Sequence, residues 1–187
     1  MKTKRISTIF LVSGTLTVLF LLTQAAAAQT RADWKKFTPR QGDFTVIAPS
    51  PIEESEVPNP QFPSMKLRLY TASDGGTSFV IAAMKMPVAA IGSKAALDIL
   101  WASYSKGVCE PFKQSTMKCE LKVVKNDISP TGGVKEFQLF LDGNYLGSGR
   151  IYVTKGAFYS LQIIGLGLKA DDEQTQRFFT SFATFPR

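Results

Sequence analysis

The chain contains no histidine among its 187 residues, and that bounds its chemistry before any other feature does. Ser-His-Asp and Cys-His nucleophilic catalysis, imidazole acid–base transfer and every His-containing zinc site are excluded. Two cysteines, Cys109 and Cys119, are too few for a tetrahedral sulfur site. Carboxylates remain: Glu53, Glu54 and Glu56 lie close together, so an acid pair for hydrolysis stays open, and with Asp74 they could hold a hard cation such as calcium. No D-x-D-x-D-G loop supports calcium, and Pro58, Pro60 and Pro63 nearby make solvated acids on a surface loop the expectation for Ile52 to Ser64.

Gly165-Leu166-Gly167-Leu168-Lys169-Ala170 reads G-x-G-x-x-A between a strand and a helix, the outline of a dinucleotide fingerprint. Its helix is the last element of the chain, which leaves no following parallel strand and no ribose-binding acid about 20 residues on. Asp171, Asp172 and Glu173 would also set carboxylates where a pyrophosphate should lie. The glycines are therefore read as turn residues, and no cofactor is expected.

Basic residues cluster. Lys66 and Arg68 share a wet strand face, while Lys113, Lys118, Lys122 and Lys125 follow a helix, and Tyr70 and Tyr152 are aromatic candidates for the same wet surface. The candidate binding surface is Trp34, Lys66, Arg68, Tyr70 and Lys122, suited to an acidic protein or a lipid head group, with a merely solvated face as the alternative. No catalytic, cofactor-binding or metal-binding residue is assigned.

The elements that position these residues follow from periodicity. Arg31 to Gln41 is polar apart from Trp34 and Phe37, and reads as an arm that docks by two rings or simply covers an edge of the core. Phe44 to Ala48 is strand-like, ended by Pro49 and Pro51. A hairpin follows, with Met65, Leu67 and Leu69 inward, a Ser73-Asp74-Gly75-Gly76 turn, and a return from Ser78 to Met86 that is apolar on both faces and hence interior. Ser93 can cap a helix with Ala96, Leu97, Leu100, Trp101 and Tyr104 on one stripe, ending at Gly107.

Four strands are expected next: near Cys119 to Val124, Val134 to Leu141 with Phe137, Leu139 and Leu141 inward, Gly147 to Thr154, and Ala157 to Gly165. A final helix from Asp171 to Phe182 has Asp171 as cap, Gln174 at the capping-box spacing, and Phe178, Phe179 and Phe182 to bury. Tight turns make neighbours antiparallel, so the fold class is α+β: a mainly antiparallel sheet with helices packed on both faces, an αβα sandwich.

Lys2, Lys4 and Arg5 precede an apolar run from Ile6 to Leu22 and then Ala25 to Ala28, the order of an export leader cleaved after Ala28. An uncleaved anchor helix is the alternative, since about 20 apolar residues can span a bilayer. The expected organisation is a signal peptide over residues 1–28, an N-terminal arm over 29–41 and a single α+β domain over 42–187. The net charge of +7 falls to +4 without the three basic leader residues, too small an excess for a nucleic-acid signature. In an exported chain Cys109 and Cys119 are expected to pair, a redox switch being the other reading.

Phe37 with Gly42-Asp43-Phe44-Thr45-Val46, Ala48-Pro49-Ser50-Pro51, Phe158-Tyr159-Ser160-Leu161 and Arg177-Phe178-Phe179-Thr180-Ser181-Phe182 together resemble the PsbP-like family of exported αβα-sandwich domains, named for the lumenal subunit of photosystem II. The resemblance covers most of the chain after the leader in element order. It implies non-enzymatic binding, stabilising or assembly of larger complexes, and it transfers no catalytic residue. The expectation is an exported non-catalytic binding or complex-assembly accessory domain in the periplasm, the thylakoid lumen or the extracellular space. It would have a protein partner in the envelope or at a membrane surface, no nucleic acid, and no transmembrane segment after cleavage. A carboxylate-dependent hydrolase, or a small-ligand or metal carrier of the envelope, is the alternative.

Overall fold

The computed structural model describes residues 32–58, 66–86, 94–129, 132–154 and 156–185. The leader, the capping Ser93 and the Pro130-Thr131 turn residues lie outside them. Five strands come first: β1 (Asp33–Phe37), β2 (Phe44–Ser50), β3 (Glu53–Val57), β4 (Leu67–Asp74) and β5 (Thr77–Lys85). Helix α1 (Lys94–Cys109) runs into a 3-10 turn (Glu110–Gln114), and four strands follow: β6 (Cys119–Ser129), β7 (Gly132–Leu141), β8 (Asn144–Thr154) and β9 (Ala157–Ile164). Helix α2 (Glu173–Thr180) and the short β10 (Ala183–Thr184) complete the described chain.

The strands form a seven-stranded sheet in the order β3-β4-β5-β9-β8-β7-β6, every pair antiparallel, and a three-stranded sheet in the order β1-β2-β10. Two-residue turns make the β4–β5 and β7–β8 hairpins. Gly75 and Gly76 (φ +57° and +82°) and Asp142 and Gly143 (φ +50° and +78°) both hold the left-handed backbone that matches strand twist. As the doubly apolar sequence requires, β5 is interior: Phe79, Val80 and Ile81 are all buried between β4 and β9.

Two apolar clusters draw on alternate residues of the same strands. The larger gathers Phe44, Val46 and Ala48 of β2, Tyr70 and Ala72 of β4, Phe79 and Ile81 of β5, Tyr159, Leu161 and Ile163 of β9, and Phe178 and Phe179 of α2. The smaller joins Leu97 of α1 to Phe137, Ile151, Val153 and Phe158, with Leu100, Trp101 and Tyr104 packed against it. Successive strand residues point to opposite faces, so Phe158 and Tyr159, or Ile151 and Tyr152, serve different clusters. Gly149 lies under the Phe137 ring, where a Cβ would come 2.2 Å from Cζ; the ring takes the place of the missing side chain.

Cys109, the last residue of α1, is disulfide-bonded to Cys119, the first of β6, with Cα atoms 5.5 Å apart. The expected pairing is thus present. A buried polar group adds to the hold on α1: the Tyr104 hydroxyl accepts from Ser160 Oγ at 2.8 Å and from Gln162 Nε2. Lys135, also buried, reaches Asp98 of α1 at 3.1 Å and lies over the Trp101 ring.

Three expectations are corrected. Glu53–Val57, read as part of a proline-rich loop, is strand β3, because Glu53 to Val57 pair with Thr71 to Leu67 of β4 and main-chain pairing outweighs poor strand propensity. In β4 the phase is reversed: Tyr70, expected on the wet surface, is 2% exposed in the larger cluster, while Leu67 and Leu69 are only half-buried. The ring decides the phase, since it packs on Phe37 and Phe44 at 5.5 and 5.4 Å between centroids. Helix α2 begins after Asp172 rather than Asp171, and the Asp172 carboxylate accepts from the Lys169 amide at 2.8 Å, tying down the turn before the helix.

Candidate functional site

Helix α2 has eight residues and so spans about 12 Å, whereas seven strands extend roughly 29 Å across. It is held near β8 and β9: Arg150 of β8 donates from Nη1 to the Phe179 carbonyl at 3.3 Å, and Tyr152 packs on Phe182 at 4.8 Å. Phe178 and Phe179 of α2 pack with residues of β2, β4, β5 and β9, and that cluster has no member from β6 or β7. Along β7 the alternation is regular: Lys135, Phe137 and Leu139 are buried, while Val134, Glu136, Gln138 and Phe140 stay half-exposed. Opposite them on β6 stand Asp127, Lys125, Lys122 and Glu120.

This open face carries a mixed set of charges and rings. Lys122 Nζ lies 4.5 Å above the Phe140 ring, Lys125 meets Asp127 at 2.8 Å, and Arg150 Nε meets Glu136 at 3.4 Å. Tyr145 stands edge-on to Phe140 and shares a 2.6 Å hydrogen bond with the Ser148 hydroxyl. The Asp127 hydrogen bond raises the Lys125 pKa, keeping it a cation, and burial raises those of Tyr145 and Tyr152, keeping them neutral donors. Groups so poised recognise charge and hydrogen-bond; they do not move protons near neutrality.

The residues singled out from sequence are scattered. Lys122 is on the open face. Lys66 and Arg68 lie five strands away and are engaged by Glu56 at 2.7 and 3.8 Å, with Asp43 at 4.0 Å from Arg68. Trp34 is docked on the core: it stands edge-on to Phe79 and donates from Nε1 to Asp74 at 3.0 Å, with the Arg177 guanidinium 5.2 Å above its ring. Tyr70 is buried. Sequence reading missed Glu136, Gln138, Phe140, Tyr145 and Arg150, although the outward alternation of β7 was a signal that could have found the first three.

Two of the acids considered for catalysis or calcium are otherwise employed. Asp74 accepts from Trp34 and from the Ala32 amide, and the Lys66 hydrogen bond holds the Glu56 carboxyl below the usual range, the reverse of what a general acid needs. Among the described residues no group of three or more acids and cysteines gathers that could hold a metal ion. A cleft of about 260 Å³ opens between Ala32, Asp33 and Trp34 and the first turns of α2 at Glu173, Gln174 and Arg177. Among the described residues no helix is long and apolar enough to cross a membrane.

No protein-family profile and no curated protein matches the sequence. Solved structures do. The solution structure of cyanobacterial PsbP (CyanoP) from Synechocystis sp. PCC 6803 superposes with a TM-score of 0.54 at 10% identity, over 87% of this chain and 99% of that one. The Ran-binding protein Mog1p of Saccharomyces cerevisiae gives a TM-score of 0.39 at 10% identity, over 82% and 96%. The fold is PsbP-like, as the sequence resemblance implied.

Proposed function

Taking a PsbP-like fold as the premise, we propose that this protein is an exported, non-catalytic binding or complex-assembly domain that engages a protein partner through the open face of β6, β7 and β8. The observation that carries the reading is that face itself: half-exposed side chains of both charges with aromatic rings among them, beyond the reach of α2. Residues 1–28 are read as a leader removed on export, 29–41 as an arm and 42–187 as one domain, in which α1 and α2 cover opposite sides of the sheet as an αβα sandwich. The alternate-residue membership of the two clusters supports that layering. Export to the periplasm, a lumen or the exterior is supported by the basic-apolar-alanine order of the first residues and by the disulfide.

Gln138 stands mid-face, opposite Ser148, one strand in from the edge. The test is affinity capture of envelope proteins by the wild-type chain and by Gln138→Arg. A specific partner retained by the wild type and lost from a Gln138→Arg protein of unchanged melting temperature is the expected result. Identical capture by both overturns the assignment of the face, and turnover of a substrate by purified protein overturns the non-catalytic reading.

A further inference from the structure

Strand β6 ends the seven-stranded sheet. Its inner side pairs with β7, and among the described residues no strand lies along its outer side. It runs eleven residues, is exposed from Lys122 to Ser129, and leaves Val123, Val124 and Ile128 respectively 44%, 57% and 40% exposed. An edge of that length with apolar side chains is a template for another strand. The opposite edge is unlike it: β3 has five residues, three of them Glu53, Glu54 and Glu56, and like charges would meet if two copies paired there.

Charge and facing select one partner for β6. The register slips at Val124, so Leu121, Val123, Asn126 and Ile128 share one face while Glu120, Lys122, Lys125 and Asp127 share the other. Two antiparallel copies of this strand have few registers that pair the whole exposed run from Lys122 to Ser129. Lys122 opposite the second copy's Lys125 also opposes Glu120 to Asp127, two repulsions in each half. Glu120 opposite Lys125 forces Lys122 against Val123, whose side chains point to different faces, so the ladder fails. Lys122 opposite Asp127 satisfies both demands: Leu121 then meets Ile128, Val123 meets Asn126, and the slipped residues Val124 and Lys125 flank the two-fold axis.

We infer that two copies of this chain associate through β6, antiparallel in that register, joining their seven-stranded sheets into one. Each contact occurs twice about the axis, so the pairing closes at two copies and does not propagate. Lys125 engages Oδ2 of Asp127, which leaves Oδ1 for the second copy's Lys122. The contact is narrow, of the weak class that buries less than about 1,200 Å², so the pair forms reversibly.

Sedimentation of the purified chain at rising concentration tests this. The wild type should show a two-copy species that grows with concentration. Asp127→Lys should weaken it roughly tenfold or more, since two attractions become repulsions. The double swap Lys122→Asp with Asp127→Lys should restore it. A wild type that stays single at all concentrations, a pair indifferent to Asp127→Lys, or a swap that restores nothing overturns the inference. Amide exchange probes the same pairing without any variant: along β6 of the wild type it should be slower at high than at low concentration, and equal rates at both overturn the inference as well. Failure here leaves the partner-binding face untouched, because Gln138 lies off the pairing edge.

Discussion

The two apolar layers are built on different terms. The larger is aromatic and deep, with Phe44, Leu161, Ile163 and Phe178 wholly buried, and it holds a helix of only eight residues. An isolated helix below about 12 residues is marginal in water, so α2 exists because Phe178 and Phe179 are inserted. The smaller layer buries fewer residues beneath a helix twice as long and secures it by other means: the disulfide, the Tyr104 hydrogen bonds and the Lys135 to Asp98 pair. Where fewer residues are buried, a covalent tie joins the polar contacts in positioning the helix. Where more are buried, packing and a few hydrogen bonds hold it without one.

Perturbations of the two layers should therefore differ in size and kind. Phe178→Ala is the most severe, costing about 3–5 kcal/mol and lowering the urea midpoint of the whole molecule, because it empties a fully buried site of the larger layer. A loss confined to α2, with the sheet's midpoint unchanged, would break the comparison. Replacing both cysteines by serine should cost about 2.5–3 kcal/mol by freeing a loop of about ten residues. Amide exchange should then quicken in α1 and β6 before the β2 to β5 region responds.

Tyr104→Phe comes next, at about 1–2 kcal/mol, since it leaves Ser160 and Gln162 without their buried partner while keeping the ring. Thermal melting checks it, and a neutral result would show that these hydrogen bonds add nothing to the hold on α1. The smallest effect is alkaline. Burial, with Glu54 beside it, pushes the Tyr70 phenol up to about 12, so the fold keeps it neutral while the unfolded chain ionises it near 10. That contribution is intact below pH 10 and is lost as pH rises toward 12. The melting temperature of Tyr70→Phe should fall less steeply than that of the wild type across this window.

What could be read from the sequence was local. The Ser73 to Gly76 and Asp142 to Asn144 turns announce their hairpins by glycine content, β5 shows its interior place by apolar residues on both faces, and the cysteine pair was recognisable by spacing and by the leader-like order of the first residues. What could not be read is decided by distant partners. β3 is a strand only because β4 lies beside it. Tyr70 turns inward because Phe37 and Phe44, brought in by a separate three-stranded sheet, offer it rings to pack on. The open face was half visible: β7 alternates plainly, but that α2 stops short of it depends on where an eight-residue helix comes to rest. The basic residues misled for a related reason, since Glu56 and Asp43 answer Lys66 and Arg68 from other strands.

Strand β2 is bordered on one side by β1 and on the other by β10, through Thr45 with Ala183 and Phe44 with Thr184, while the Ile47 amide donates to Ser181. A segment is thus clasped by residues 134 positions further along the chain. Loop closure over such a separation is a late event in folding. A chain cut after Thr175 would have neither Phe178 nor the clasp, so its earlier hairpins would stand unsealed, and an early stop codon there would be as damaging as one at residue 90.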